Sequence, residues 1–150
     1  MHPFRYSLSL RIRHPSMDPR RISKALNLRP EFSWKAGERR QTPAGRPLAG
    51  IRTGTYWCCV IPRAGQQQLC ASLEAVADRL APHCRFLRGI SQDGGSLELF
   101  VGWYSDTNSG EEFSWKLLRK LANLHLDLSL DVYGAQKRPP SKATNKKGAG

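Results

Sequence analysis

Residues 124–133 alternate strictly between apolar and polar side chains, and this alternation constrains the fold more than any other feature of the chain. The apolar positions are Leu124, Leu126, Leu128, Leu130 and Val132, and the polar positions are His125, Asp127, Ser129, Asp131 and Tyr133. A period of two predicts a β-strand that buries one face and exposes the other to water. The segment from Phe4 to Arg13 repeats the pattern with arginine and serine at the polar positions. The chain therefore predicts a sheet with one buried and one wet face.

Two helices and a buried strand are predicted between these two segments. Asp18 followed by Pro19 is typical of a helix start, because the carboxylate caps the first turn and proline fits the first helical position. Pro30 prevents that helix from continuing. The run from Thr55 to Ile61 is rich in aromatic and β-branched residues and predicts a buried strand. Apolar residues at helical spacing predict a helix over 66–81, and they are Leu69, Leu73, Val76 and Leu80.

The second half of the chain predicts two more strands and a third helix. We interpret Cys84 to Ile90 as a short strand, Asp93-Gly94-Gly95 as a hairpin turn and Leu97 to Tyr104 as the return strand. The run Ser109-Gly110-Glu111-Glu112 matches a capping box and predicts a helix through about Asn123. The inward residues of that helix would be Phe113, Leu117 and Leu121.

The order of these elements, β-α-(long loop)-β-α-β-β-α-β, predicts an α+β fold built as a two-layer sandwich. Its last six elements match a ferredoxin-like β-α-β-β-α-β core, preceded by an extra β-α unit. We expect a mostly antiparallel sheet with the helices on one face, in a single domain over 1–134 followed by a disordered basic tail over 135–150. The wet face would carry Arg5, Ser7, Arg11, His125, Asp127, Asp131 and Tyr133. If the first and last strands are neighbours, Asp127 and Asp131 would neutralise arginines of the first strand.

The positive charge of the chain, +12 in total, is concentrated in its first half. Residues 1–63 contain thirteen Lys or Arg and three Asp or Glu, a net charge of +10. Residues 64–134 contain six and nine, a net of −3, and residues 135–150 contain five and none, a net of +5. Such a field attracts nucleic acid, anionic lipid or an acidic protein, and charge alone does not choose among them. A basic surface that serves only solubility is the alternative.

The segment from about 29 to 53 predicts a long basic loop, because its Trp, Gly and Pro residues follow neither a helical nor a strand period. The binding residues that we predict there are Trp34, Lys35, Glu38, Arg39, Arg40, Arg46 and Arg52. A tryptophan face beside cationic side chains binds a base, a sugar or a partner's side chain. In the structural alternative, Trp34 packs on the core and Gly37 supplies a positive φ angle. Trp57 is expected to be buried.

Catalytic and metal-binding patterns are missing from the sequence, so we expect neither an enzyme nor a cofactor. His125 beside Asp127 and Asp131 is the best acid–base candidate, but the same row is typical of a wet strand face. No C-x-x-C occurs, and the four cysteines are expected to be structural thiols. No apolar run is long enough to cross a bilayer and no signal peptide is present, so we expect a cytoplasmic protein that does not bind membranes.

Several short segments resemble an uncharacterised bacterial family, domain of unknown function 4279. They are LNLRP at 26–30, WKAGE at 34–38, GRPL at 45–48, YW at 56–57 and LSLDVY at 128–133. The resemblance implies a compact bacterial α/β domain with no established activity, and it transfers no catalytic residue. By analogy it also implies a partner-binding module, such as an immunity protein that neutralises a toxin.

These features together predict a non-enzymatic binding module. We expect an acidic protein partner, in an immunity-type or regulatory interaction, bound through the basic loop and the wet face of the sheet. The alternative is RNA binding through the same basic surface, with Tyr104 or Tyr133 stacking on bases.

Overall fold

Seven strands and four α-helices make up the part of the chain that the computed structural model describes, residues 3–63 and 67–134. In chain order they are β1 (Arg5–His14), α1 (Pro19–Leu26), β2 (Phe32–Trp34), β3 (Arg39–Gln41), β4 (Pro47–Ile51), β5 (Thr55–Val60), α2 (Leu69–Leu80), α3 (Cys84–Gln92), β6 (Ser96–Tyr104), α4 (Trp115–Asn123) and β7 (Leu126–Tyr133). The alternating segments at both ends of the domain form β1 and β7, as their period predicts.

A five-stranded sheet in the order β2-β5-β1-β6-β7 organises the chain. β1 is the central strand and pairs antiparallel with both β5 and β6. β2 pairs antiparallel with β5, whereas β7 lies parallel to β6. β3 and β4 form a separate two-stranded hairpin. The sheet is therefore mainly antiparallel, as expected, within an α+β fold.

The hydrophobic core lies between one face of the sheet and the helices. Its sheet side is made of alternate residues of the strands, and those of β1 are Tyr6, Leu8, Leu10 and Ile12. The helices contribute apolar residues at helical spacing, such as Leu69, Leu73, Leu117 and Leu121. Trp57 of β5 is fully buried among them, and its indole N–H donates to Ser23 Oγ of α1 at 3.0 Å. The expectation that Trp57 is structural is confirmed.

The predicted strand from Cys84 to Ile90 is wrong, because this segment is helix α3. Asp93-Gly94-Gly95 ends that helix and does not turn a hairpin. The N–H of Gly94 donates to Ser91 O at 3.1 Å and the N–H of Gly95 to Ile90 O at 2.9 Å, which is a Schellman motif. Gly94 has φ +88°, and both a hairpin turn and a helix end demand such an angle. Since the ferredoxin-like core needs a strand here, that topology is not confirmed.

The segment from 29 to 53 is not one irregular loop, because it contains β2, β3 and β4. These strands have three to five residues each, too few for a period of two to be recognised. Glycines with positive φ at Gly37, Gly45 and Gly50 separate or bend them. The prediction of an unusually long loop is therefore wrong, although its surface position is confirmed.

The helix starts agree only in part with the prediction. Asp18 caps α1, since its Oδ1 accepts the Arg20 N–H at 2.9 Å. The last helix begins at Trp115, because Ser114 accepts the Leu117 N–H at 3.2 Å as the N-cap, and the capping box at 109–112 is not used. Leu117 and Leu121 face inward as predicted, and Phe113 precedes the helix and packs on the core. The predicted tail at 135–150 lies outside the described residues.

Replacement of Gly95 by alanine tests the Schellman motif. A Cβ at Gly95 would lie 2.6 Å from Arg13 O and 2.8 Å from Ile90 O, which are backbone atoms and cannot rotate away. Gly95→Ala is expected to lower the free energy of unfolding by about 2 kcal/mol in urea denaturation. Gly89→Ala is the matched control, since a Cβ there meets nothing within 4 Å, and it should raise stability by up to about 1 kcal/mol. Equal effects of the two substitutions would contradict the assignment.

Replacement of Asp18 tests the start of α1. The Arg20 side chain, hydrogen-bonded to Asp18, lowers the pKa of that carboxyl from 3.8 to about 2. The carboxylate therefore stabilises the fold fully above pH 3.8, and the stabilisation is lost as the pH falls through 2. Asp18→Ala is expected to lower the thermal midpoint at neutral pH. Asp18→Asn should lower it less, because the amide oxygen of asparagine can still cap the first turn of α1. The difference between wild type and Asp18→Ala should narrow from pH 4 to pH 2. A difference in thermal midpoint that stays constant between pH 4 and pH 2 would contradict the role of the Asp18 carboxylate as the cap of α1.

Candidate functional site

Within residues 3–63 and 67–134, no helix packs on the face of the sheet opposite the core, and we call it the open face. Residues opposite each other in the register share a face, so Arg5 lies with Tyr104 and Tyr133, and Arg11 lies with Glu98 and Asp127. The open face carries Arg5, Ser7, Arg11, Arg13, Tyr56, Glu98, Phe100, Tyr104, Asp127, Asp131 and Tyr133. The predicted wet-face residues are therefore confirmed, with the exception of His125.

Three arginines lie over aromatic rings on or beside the open face. The Cζ atom of Arg11 is 3.5 Å from the ring centroid of Phe100, and that of Arg13 is 5.3 Å from the ring of Tyr56. Arg52 lies 3.9 Å over Trp34, and Trp34 in turn stacks on Tyr56 with the centroids 4.6 Å apart. A stacked guanidinium uses its flat face and leaves the N–H donors at its edge for other contacts. The stacks thus hold cationic groups in place without consuming their hydrogen-bonding capacity.

The acidic residues of the open face lie on β6 and β7. β6 separates β1 from β7, so the condition under which Asp127 and Asp131 would neutralise the arginines of β1 is not met. Glu98 of β6 is the partner instead, with Oε1 3.3 Å from Arg13 Nη1. Asp131 accepts a hydrogen bond from the Tyr133 hydroxyl, which raises the pKa of Tyr133. The open face therefore carries arginines on β1 and acidic side chains on β6 and β7.

A hairpin formed by residues 35–52 projects from the β2 edge of the sheet, and we call it the basic hairpin. All residues of β3 and β4 are exposed. Its tip closes through the N–H of Gly45, which donates to Thr42 O at 2.8 Å with φ +82° at Gly45. Its base closes through a turn in which the Glu38 N–H donates to Lys35 O at 3.2 Å and Gly37 has φ +87°. The positive φ expected at Gly37 is confirmed.

The predicted binding residues separate into three groups in the structure. Trp34, Glu38, Arg39 and Arg52 line one cavity of about 250 Å³ between β2 and the basic hairpin. Arg40 and Arg46 are exposed on the hairpin but do not line it. Lys35 is held near α1, with Nζ 3.9 Å from Asp18 Oδ2.

The structural alternative, in which Trp34 packs on the core, is wrong. It stands half-buried at the open face, against Tyr56. The prediction did not include Arg13, Tyr56 or Phe100 among the site residues. The period of β1 does place Arg11 and Arg13 on the wet face. Their aromatic neighbours follow only from the pairing of β1 with β5 and β6, which no local pattern reveals.

His125, the best acid–base candidate in the sequence, does not share the open face with Asp127 and Asp131. His125 has φ +57° and its N–H donates to Ala122 O at 3.0 Å, so it ends α4 and precedes β7. In the described residues no group of three or more His, Cys, Asp or Glu side chains is arranged to hold a metal ion. Burial, with Glu111 nearby, raises the pKa of Cys70 to about 11, so that thiol stays protonated at neutral pH.

A family model described as "Domain of unknown function (DUF4279)" matches residues 4–135. The chain belongs to this family. No curated protein and no solved structure matches the chain. None of the helices in the described residues is long and apolar enough to cross a membrane.

Replacement of His125 by glycine tests its role in the DUF4279 fold. A left-handed conformation costs a residue with a Cβ atom about 1 kcal/mol, and glycine avoids that cost. His125→Gly is therefore expected to raise the free energy of unfolding by about 1 kcal/mol in urea denaturation. His125→Ala is the matched control and should give no such gain, because it keeps the Cβ atom. A loss of stability in His125→Gly would contradict the role as helix end.

Proposed function

We propose that this protein is a non-enzymatic binding module that recognises an acidic protein partner through the basic hairpin and the open face. The interaction would be of the immunity or regulatory type. The observation that carries the proposal is Arg52, stacked on Trp34 and, within the described residues, paired with no carboxylate. Among those residues the same lack of a carboxylate holds for Arg39, Arg40 and Arg46.

Carboxylates, like phosphates, are groups that such arginines bind well. The planar guanidinium presents N–H donors in a fork that matches the two oxygens of a carboxylate. Stacking on a ring fixes the side chain before a partner arrives, so less rotamer entropy is lost on binding. Arg11 and Arg52 are placed in this way over Phe100 and Trp34. A partner with Asp or Glu side chains would find preorganised donors along the β2 half of the sheet.

RNA binding is the second candidate, and the basic hairpin is the observation in its favour. RNA-binding sheets stack bases on free aromatic faces. Here Tyr104 and Tyr133 stack on each other at 4.9 Å with their planes 9° apart, and Phe100 lies under Arg11. Glu98, Asp127 and Asp131 on the same face would also repel phosphates. We therefore favour a protein partner.

The cytoplasm is the compartment that we propose for this interaction. All four cysteines are free thiols, and two of them, Cys58 and Cys59, are neighbours on β5. Adjacent strand residues face opposite sides of a sheet, so this pair forms no bridge. Free thiols are typical of proteins in reducing compartments.

A pair of arginine-to-lysine substitutions tests the proposal, with poly-L-glutamate as the probe. Lysine keeps the charge but loses the planar fork and the stack. Arg52→Lys is expected to weaken binding about tenfold in isothermal titration calorimetry. Arg46→Lys, at the unstacked tip of the hairpin, is the matched control and should change the affinity much less.

Two results would contradict the proposal. Equal effects of Arg52→Lys and Arg46→Lys would mean that only the charge of the hairpin matters. Tighter binding of an oligouridylate with the same charge as the poly-L-glutamate would favour the nucleic-acid candidate, and that affinity should then fall steeply with salt.

A further inference from the structure

The outer edge of β7 has no partner strand in the described residues. β7 pairs along its whole length with β6 on one side and stands last in the strand order. Exposed edges are commonly protected by proline, by charged side chains, above all lysine, or by a bulge. The β7 sequence, LDLSLDVY, contains no proline or lysine, its only charged residues are Asp127 and Asp131, and its register with β6 is regular. Such an edge is suited to pairing with another strand.

The backbone groups that face outward on β7 follow from one hydrogen bond. The carbonyl of Tyr133 accepts the Ser105 N–H at 3.1 Å, so the backbone groups of Tyr133 turn toward β6. Successive residues of a strand turn their N–H and C=O groups to opposite edges. The outward residues are therefore Leu126, Leu128, Leu130 and Val132.

Apolar side chains beside this edge are left uncovered on the helix side. Leu130 and Val132 are 45% and 66% exposed, although their β6 neighbours Val101 and Trp103 are buried. One more exposed apolar residue, Leu118 of α4, lies near this strand, because it lines a surface pocket together with Leu126 and Leu128 of β7. The edge thus combines free backbone groups with apolar surface.

We infer that β7 pairs antiparallel with β7 of a second copy of this chain, and that the two sheets become one. The two-fold axis passes at Leu130, which faces the partner's Leu130 across a hydrogen-bonded pair. Leu128 then faces the partner's Val132, Ser129 faces the partner's Asp131, and Asp127 faces the partner's Tyr133. Apolar side chains meet on the helix side and no carboxylate opposes another.

Neighbouring registers are less favourable. An axis at Ser129 would set Asp127 against the partner's Asp131, and an axis at Asp131 would set two copies of that residue against each other. Like charges directly opposite each other are destabilising. The side chains of β7 are therefore self-complementary in the register centred on Leu130.

The distribution of charge also favours this edge for association. The chain carries +12 overall, but residues 64–134, which include β6 and β7, carry −3. The basic hairpin lies at the opposite edge of the sheet, so the two hairpins of a dimer are held apart. The open face stays uncovered, and this inference does not depend on the proposed function.

Sedimentation equilibrium of the full chain tests the inference over about a thousandfold range of concentration. The mass is expected to rise from 16.9 kDa to twice that value.

Leu130→Asp, which sets two carboxylates across the axis, should weaken the dimer tenfold or more, by about 1.4 kcal/mol or more. Ser129→Lys should strengthen it, because each lysine faces the partner's Asp131. Ile51→Asp, at an exposed apolar residue of the basic hairpin, is the matched control and should leave the dissociation constant of the dimer unchanged.

Circular dichroism of each variant checks that it folds, and folding is expected because these side chains are wholly or partly exposed. A wild-type chain that stays monomeric at every concentration would overturn the inference. A dimer that Leu130→Asp does not weaken, or that Ile51→Asp weakens equally, would also overturn it. Binding of a peptide of alternating lysine and valine to a monomeric chain would assign the edge to a basic partner strand instead.

Discussion

The alternation of β1 is the constraint on which the rest of the structure depends. As the central strand it pairs on both sides, so the direction of its side chains sets the face of β5 and β6 as well. Tyr6, Leu8, Leu10 and Ile12 supply the core, while Arg5, Arg11 and Arg13 stand on the open face. A slip of one residue would bury the arginines and expose the core, which makes the register strongly determined. The same alternation therefore produces both the stability and the proposed binding surface.

Aromatic residues explain how a sheet tolerates several arginines on one face. Glu98 contacts Arg13, but Arg11 and Arg52 rest on the rings of Phe100 and Trp34. In the described part of the chain, these contacts stabilise the cations without a salt bridge to an acid. The basic hairpin extends the positive charge beyond the sheet. At the other edge, β7 is acidic and apolar, which gives the molecule two chemically distinct ends.

Most of the sheet, and helices α1 and α2, were predictable from the sequence, because they rest on local patterns. The periods of β1 and β7, the cap at Asp18 and the spacing in α2 each lie within a few residues. The segment from Cys84 to Ile90 was mispredicted because a short apolar run fits both a strand and a buried helix. Asp93-Gly94-Gly95 reinforced the error, since a hairpin and a Schellman motif need the same backbone angle.

The candidate site was predictable only as a list of basic residues. Trp34, Arg39 and Arg52 were found from composition, but their grouping depends on a hairpin whose strands are too short to recognise. The pairing of Arg11 with Phe100 joins residues 89 positions apart, and it exists only because β1 lies beside β6. His125 was mispredicted because a helix end interrupts the alternation by one residue. Long-range register is the information that the local patterns lack.

The stacked arginines are the central claim, and NMR of the full chain tests them most directly. Side-chain protons of Arg11 and Arg52 should be shifted upfield by the ring currents of Phe100 and Trp34, whereas those of Arg46 should keep ordinary values. The Nε–H signal of Arg52 should then move when poly-L-glutamate is added. Ordinary shifts for Arg11 and Arg52, the same as those of Arg46, would contradict the account.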